Sequence, residues 1–167
     1  MSEALVTLDR WTIHDLELTK EKVAAIWELL KKYRTLFSDL TYDDPENFIT
    51  AITNPGSLWY EVREADTLIG LIYLDHTYQV IDYNAHFVFF DRKIPDKVEL
   101  CKGMVRWIFR NFPVHRITVT IPDIFFSIKR LMKKIGFTYE GTKREATLIG
   151  GKWIGVCVYG ITRAEVE

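Results

Sequence analysis

In the run DYNAHFVFF, His86 stands among aromatic and apolar residues. A histidine's ordinary pKa, about 6.5, lets it exchange a proton near neutrality, so His86 is a candidate general base. The same ring, packed and hydrogen-bonded, can instead serve a core. Tyr83, Asp82 and His76 are further candidates in the same region. Ser127 opens the stretch SIKRLMKKIGFTYEG, where its hydroxyl has the competing task of capping or back-bonding a helix turn. Lys129, Arg130, Lys133 and Lys134 follow it as the chain's one basic cluster. Such a cluster either meets an anion or forms a solvated helix face, its cations placed where the helix dipole favours them. Cys101 and Cys157 fall inside apolar patterns and read as small hydrophobes, with no disulfide framework and no metal site.

The elements that carry these groups follow from periodicity. ALVTLDRWTIHDL reads as one strand and a loop. Val23, Ile26, Trp27 and Leu30 recur at helical spacing behind Thr19, a candidate cap, and Asp44-Pro45 opens a second, short helix. SLWYEVRE, TLIGLIYLDHTY and VIDYNAHFVFF then predict three antiparallel strands. Val98, Cys101, Val105, Ile108 and Phe109 place a long amphipathic helix between Pro95 and the Asn111–Pro113 stop. HRITVTIP is a strand. In the helix after it, Ile124, Ile128, Leu131 and Ile135 form an apolar stripe expected to face a core, and Gly136 ends it. Two last strands meet at Gly150-Gly151, a hairpin signal. This order predicts an α+β fold with a mixed, mostly antiparallel sheet of about seven strands, in one domain over residues 1–167. A ligand in such a sheet sits where neighbouring strands part, beside the crossover helix that begins there.

Composition narrows the partners. The 22 Lys plus Arg balance 23 Asp plus Glu for a net charge of -1, so no global field favours nucleic acid or an anionic membrane. The start, MSEALVTLDRW, lacks the basic and apolar pattern of a secretory signal, and no stretch reaches the roughly 20 apolar residues of a membrane span. A cytoplasmic protein is expected.

From Gly136 onward the words IGFTYEGTKREATLIGGKWIGVCVYGITRAE resemble the closing segment of the GNAT superfamily of acyl-CoA-dependent N-acetyltransferases, in its ribosomal-protein-alanine acetyltransferase-like branch. The matching residues are Gly136, Phe137, Glu140, Gly141, Arg144, Glu145, Gly151, Lys152, Trp153, Tyr159, Gly160, Arg163 and Glu165. The resemblance covers the whole length in strand and helix order and the last third in words. It implies helices on both faces of the sheet and transfer of an acetyl group from acetyl-CoA to a primary amine, a protein N-terminus or a small molecule. Homodimers are compatible with it.

The resemblance also places the coenzyme. It implies contacts from the strand end Phe89–Phe90, from Arg92, Lys93, Asp96, Lys97 and Val98 of the stretch RKIPDKVEL, and from Arg130 and Lys134. The family's glycine-rich pyrophosphate loop falls on that stretch, its glycine positions on Asp96, Val98 and Leu100. Asp96 there either repels pyrophosphate or caps the helix. For chemistry the resemblance implies a base and a group serving the thiol, with His86, Ser127 and Tyr83 as the residues to fill them. Trp27, Trp59, Tyr60, Tyr73, Tyr78 and Tyr83 lie on the side that shapes the family's acceptor pocket, which favours a partly apolar or planar acceptor. The alternative function is a catalytically silent module of the same fold, used for protein interaction.

Overall fold

The computed structural model describes residues 4–33, 38, 39, 41, 44–78, 81–90 and 93–166. Along the chain run β1 (Val6–Leu8), β2 (Trp11–Asp15), α1 (Lys20–Leu30), α2 (Pro45–Ile52), β3 (Ser57–Glu64), β4 (Thr67–Tyr78) and β5 (Asp82–Phe89). They are followed by α3 (Lys97–Asn111), β6 (Arg116–Pro122), α4 (Phe126–Ile135), β7 (Thr138–Ile149) and β8 (Lys152–Thr162). The described strands form one sheet in the order β1-β2-β3-β4-β5-β6-β8-β7. Every pairing is antiparallel except β5 with β6.

The sheet has eight strands because the expected first strand is two. Asp9 adopts a left-handed φ of 58° and turns the chain, so that Leu8 pairs with Trp11. Aspartate reaches that conformation at less cost than most residues. Two apolar layers sandwich the sheet. On one face Ile72, Leu74, Met104, Ile108, Ile117 and Met132 pack with α3 and α4. On the other, Leu16, Ile26, Leu30, Phe48, Ile52 and Leu71 pack beneath α1 and α2.

The helix starts differ in a way that bears on function. The Thr19 hydroxyl accepts from the Lys22 amide at 3.2 Å, and the Asp44 carboxylate accepts from the amides of Glu46 and Asn47 at 3.0 and 3.1 Å. Neither α3 nor α4 has a side-chain cap. At its far end α4 stops on Gly136, whose φ of 115° suits glycine, and the amides of Gly136 and Phe137 both return to the Met132 carbonyl. The predicted apolar stripe is buried only at that end. Ile124, before the helix, and Ile128 are each 42% exposed, whereas Met132 and Ile135 enter the core.

Candidate active site

β5 and β6 are parallel neighbours only over Asp82–Asn84 and Arg116–Thr118. Beyond these pairs β5 continues to Phe89 and β6 to Pro122 without pairing to each other, so the sheet parts between them. α3 follows one of these strands and α4 the other, so two helix N-termini without side-chain caps stand at the carboxyl ends of the parted strands. This is the place where a twisted sheet with crossover helices accepts a ligand, and a helix N-terminus there favours an anion.

At the start of α3, Asp96 takes the N-cap position with φ 51° and ψ 29°, and its carbonyl accepts the first helical bond from Leu100. Its carboxylate points to solvent, 74% exposed and 3.9 Å from the Arg10 guanidinium, and caps nothing. Asp96 thus stands at the helix-cap position through its backbone and supplies no side-chain hydrogen bond there. Lys97 places its ammonium 5.2 Å from the centre of the Phe89 ring, and Lys93 is exposed just before it. Val98 is half-buried in the first turn, and Leu100 is wholly in the core, directed away from any ligand at the helix end. Arg92 lies outside the described residues. An uncapped positive helix end with two lysines nearby suits a pyrophosphate, against two exposed carboxylates, Asp96 beside Arg10 and Glu99 paired with Lys102 at 3.1 Å.

The strand that borders the parting divides its side chains between the faces. Tyr83, Ala85, Phe87 and Phe89 join the α3/α4 layer, while Val88 and Phe90 join the α1/α2 layer. By alternation Asn84 and His86 belong to the α1/α2 face. There the register aligns Trp59, Tyr73 and His86 across three strands, and Ser57, Asp75 and Asn84 in the next row. The three rings form a stack, with Trp59 and Tyr73 centred 4.3 Å apart at 19° and Tyr73 and His86 5.0 Å apart at 21°. His86 Nε2 lies 2.9 Å from Asn84 Nδ2 and 3.7 Å from Asp75 Oδ2. Nδ1 has no partner among the described residues.

Burial alone would raise the Asp75 carboxyl, but hydrogen bonds with His86, Tyr73 and Asn84 and the attraction of His86 hold it below its ordinary value. The Tyr73 hydroxyl is raised by burial, with Ser57 in partial opposition and Asp75 adding to the rise. A base working through Nδ1 needs its proton on Nε2. Turning the Asn84 amide over would make Oδ1, buried and unpartnered as it stands, the acceptor for that proton, with Asp75 behind it.

Other predicted residues sit apart. Tyr83 is buried on the opposite face, edge-on to His76 at 4.7 Å. Tyr60 is on that face too, packed against Trp107, so the aromatic set does not share one wall. Ser127 is exposed in the first turn of α4, and its hydroxyl makes no hydrogen bond to a described residue. Asp82 accepts from the Thr118 hydroxyl at 2.8 Å and lies 3.6 Å from Arg116, away from His86 along the strand. Arg130 and Lys133 line a cavity of about 640 Å³ between α4, β7 and β8. Asp123 meets Lys129 there at 2.5 Å and accepts from the Cys157 thiol at 3.3 Å. None of the cavity's lining residues belongs to β5 or α3, and Lys134, exposed, is not among them. Asp75 was not legible as a site residue, since only the register of β4 on β5 sets it beside His86, whereas the alternation of β5 already puts Asn84 next to His86 on one face.

Among curated proteins none matches the sequence. The fold is shared with the spermidine N-acetyltransferase from Vibrio cholerae in complex with CoA and spermine, at 18% identity and a TM-score of 0.78, over 94% of this chain and 98% of that one. Mutant forms of the spermidine/spermine N-acetyltransferase from the same organism match at 20% identity and a TM-score of 0.75, over 94% and 96%. A probable acetyltransferase matches at 15% and 0.71, over 94% and 95%. At these identities the likeness speaks for the fold. The family itself is shown by the sequence model of the acetyltransferase (GNAT) domain, which matches residues 17–158 and so spans the parted strands, both uncapped helices and His86: the chain belongs to this family of acyl-CoA-dependent N-acetyltransferases.

Proposed function

We propose that the protein transfers the acetyl group of acetyl-CoA to a primary amine that reaches His86 from the α1/α2 face, while the coenzyme lies in the parting between β5 and β6. The observation that carries this is the position of His86. It stands on the bordering strand, one nitrogen engaged by Asn84 and Asp75 and the other without a partner among the described residues. The amine loses a proton to Nδ1 as its nitrogen attacks the thioester carbonyl; the C–N bond forms, the C–S bond breaks, the departing thiolate takes up a proton from water, and the imidazolium releases its own to solvent. Ser127, at the start of α4, is the hydroxyl assigned to that thiolate, and Tyr83 serves packing behind the site. The first turn of α3 with Lys93, Lys97 and Arg92 holds the phosphates, and Phe89 and Phe90 border the coenzyme's path.

The Vibrio cholerae enzyme that shares the fold acetylates spermidine by its name, which supports an amine acceptor. A small amine or a protein N-terminus both fit that chemistry. We read the chain as one domain acting in the cytoplasm; none of its described helices is long and apolar enough to cross a membrane.

The experiment is calorimetric titration with acetyl-CoA beside a thiol-release assay on wild type and His86→Gln. The expected result is unchanged coenzyme affinity and turnover lowered by about 10²–10⁴-fold, the usual share of a general base. A protein that binds no acetyl-CoA would instead be the silent module. Unaltered turnover in the variant would remove His86 from the role.

A further inference from the structure

Resting on that reading, we infer that the acceptor is a primary monoamine carrying an aromatic ring, seated on the edges of Trp59, Tyr73 and His86, with its one nitrogen at His86 Nδ1. The three rings are near-parallel and face one another across neighbouring strands, and all are only partly buried. Stacked in this way they cover each other's faces and offer edges to whatever lies above the sheet. A ring's face is its electronegative part and its edge the electropositive one. The row is therefore a poor support for a cation and a good one for the face of another aromatic ring. Phe48 and Trp59 meet at 85° and 6.2 Å, and Trp27 stacks on Phe48 to extend the aromatic wall.

The charges on this face point the same way. Glu61, next to Trp59 on the same face of β3, is fully buried and already holds two cations, Lys22 at 2.5 Å and Arg63 through contacts of 2.7 and 2.8 Å. Those three side chains carry a surplus positive charge, which disfavours a polycation nearby. Asp75, the carboxylate beside His86, lies 3.7 Å from Nε2 and hydrogen-bonds with His86, Tyr73 and Asn84, so it is committed to the base rather than to a second ammonium. The nearest rival arrangement is a long polyamine reaching from Asp75 to Asp15, which lines a hollow of about 260 Å³ beyond Trp59 and Ser57.

The test uses the whole chain with saturating acetyl-CoA and two probes, 2-phenylethylamine and spermidine, read by thiol release and by calorimetric titration of each amine. The expected kcat/KM for 2-phenylethylamine is at least about tenfold the higher, and Tyr73→Leu reduces that preference about 3- to 10-fold, the range of one aromatic pair. Spermidine turned over equally well or better, a preference untouched in a folded Tyr73→Leu, or a spermidine rate lost in Asp15→Asn would each overturn the inference while leaving the acetyltransferase standing. If thiol release is absent with both amines, the titration decides: tighter binding of 2-phenylethylamine supports the inference, and equal, weaker or no binding overturns it. Loss of acetyl-CoA binding itself marks failure of the underlying reading.

Discussion

Asp96→Gly acts on two terms that the structure separates. The first is backbone strain. At φ 51° an L-residue bears about 1–2 kcal/mol, less for aspartate, and glycine removes it while giving back about 0.5–1 kcal/mol as unfolded-state entropy. The pair with Arg10, at 3.9 Å and well exposed, contributes little. The net expectation is stabilisation of about 0.5 kcal/mol and a rise in Tm of about 1–2 °C for a domain of this size. A glycine at Val98, inside α3, carries the ordinary helix cost and lowers Tm. The second term is charge. A carboxylate about 5–6 Å from a phosphate in a water-like dielectric costs about 0.7 kcal/mol per charge, reduced by salt, so roughly 1 kcal/mol against a pyrophosphate. Asp96→Asn removes only the charge and keeps a side chain that tolerates the left-handed region. Calorimetric titration with acetyl-CoA at low salt should therefore show both variants binding about fivefold tighter, with the Tm gain in the coenzyme-free protein confined to Asp96→Gly. Equal affinity in all three proteins would refute the placement of pyrophosphate at α3. A lower Tm in Asp96→Gly would refute the strain argument.

Gly160→Ala should lower Tm by no more than about 2–4 °C, because a Cβ there lies 2.5 Å from Glu140 Oε1 and against the Arg116 guanidinium, the ends of two part-exposed side chains whose ion pair is worth about 1 kcal/mol at most and can move aside; thermal melting checks it, and a larger fall would mean the Arg116–Glu140 pair is held rigidly. Ellman's reagent at pH 8 should find no fast thiol in the native protein and two after denaturation, since both cysteines are buried and burial pushes the Cys101 thiol up to about 12. Asp75 titrates lower in the fold than its unfolded value of about 3.9, so its contribution is complete above that pH and disappears as pH falls through the folded value. Melting of wild type and Asp75→Asn should accordingly differ at pH 6 and converge toward pH 3, and a constant gap would exclude the His86 and Tyr73 contacts as its source.

Much of the fold was legible because its signals are local. The Thr19 and Asp44 caps, the Gly150-Gly151 hairpin and the Gly136 stop each follow from the conformational needs of a few neighbouring residues. Several of the words that carry the resemblance at the end of the chain prove to be such structural devices. Gly160 leaves room for the Arg116–Glu140 pair, which closes at 2.7 Å. Arg163 donates to the carbonyls of Val114 and Phe112 at 2.9 Å, and Glu165 accepts from the Thr162 amide and hydroxyl at 2.7 Å. A chain can keep all of these and do any chemistry the parted sheet allows. The β1–β2 turn was hidden because Asp9-Arg10 carries none of the glycine signal of a tight hairpin, and the strain at Asp96 because its left-handed φ depends on how β5 hands the chain to α3.

The site is harder to read for a physical reason. His86, Asn84, Asp75, Tyr73, Ser57 and Trp59 occupy alternate positions of three strands, each unremarkable within its own strand. Their meaning comes from pairing, and a slip of one residue between β4 and β5 would send Asp75 to the other face and leave His86 without its partner. That register is fixed by burial on both sides, Leu71 beneath α1 and α2 and Ile72 and Leu74 beneath α3, none of which touches the chemistry. The packing of apolar residues on two faces thus decides which polar ones meet on the edge of the cleft. A core substitution that weakens the β4–β5 register, such as Leu71→Ala, then reaches turnover through the His86–Asp75 distance as well as through stability.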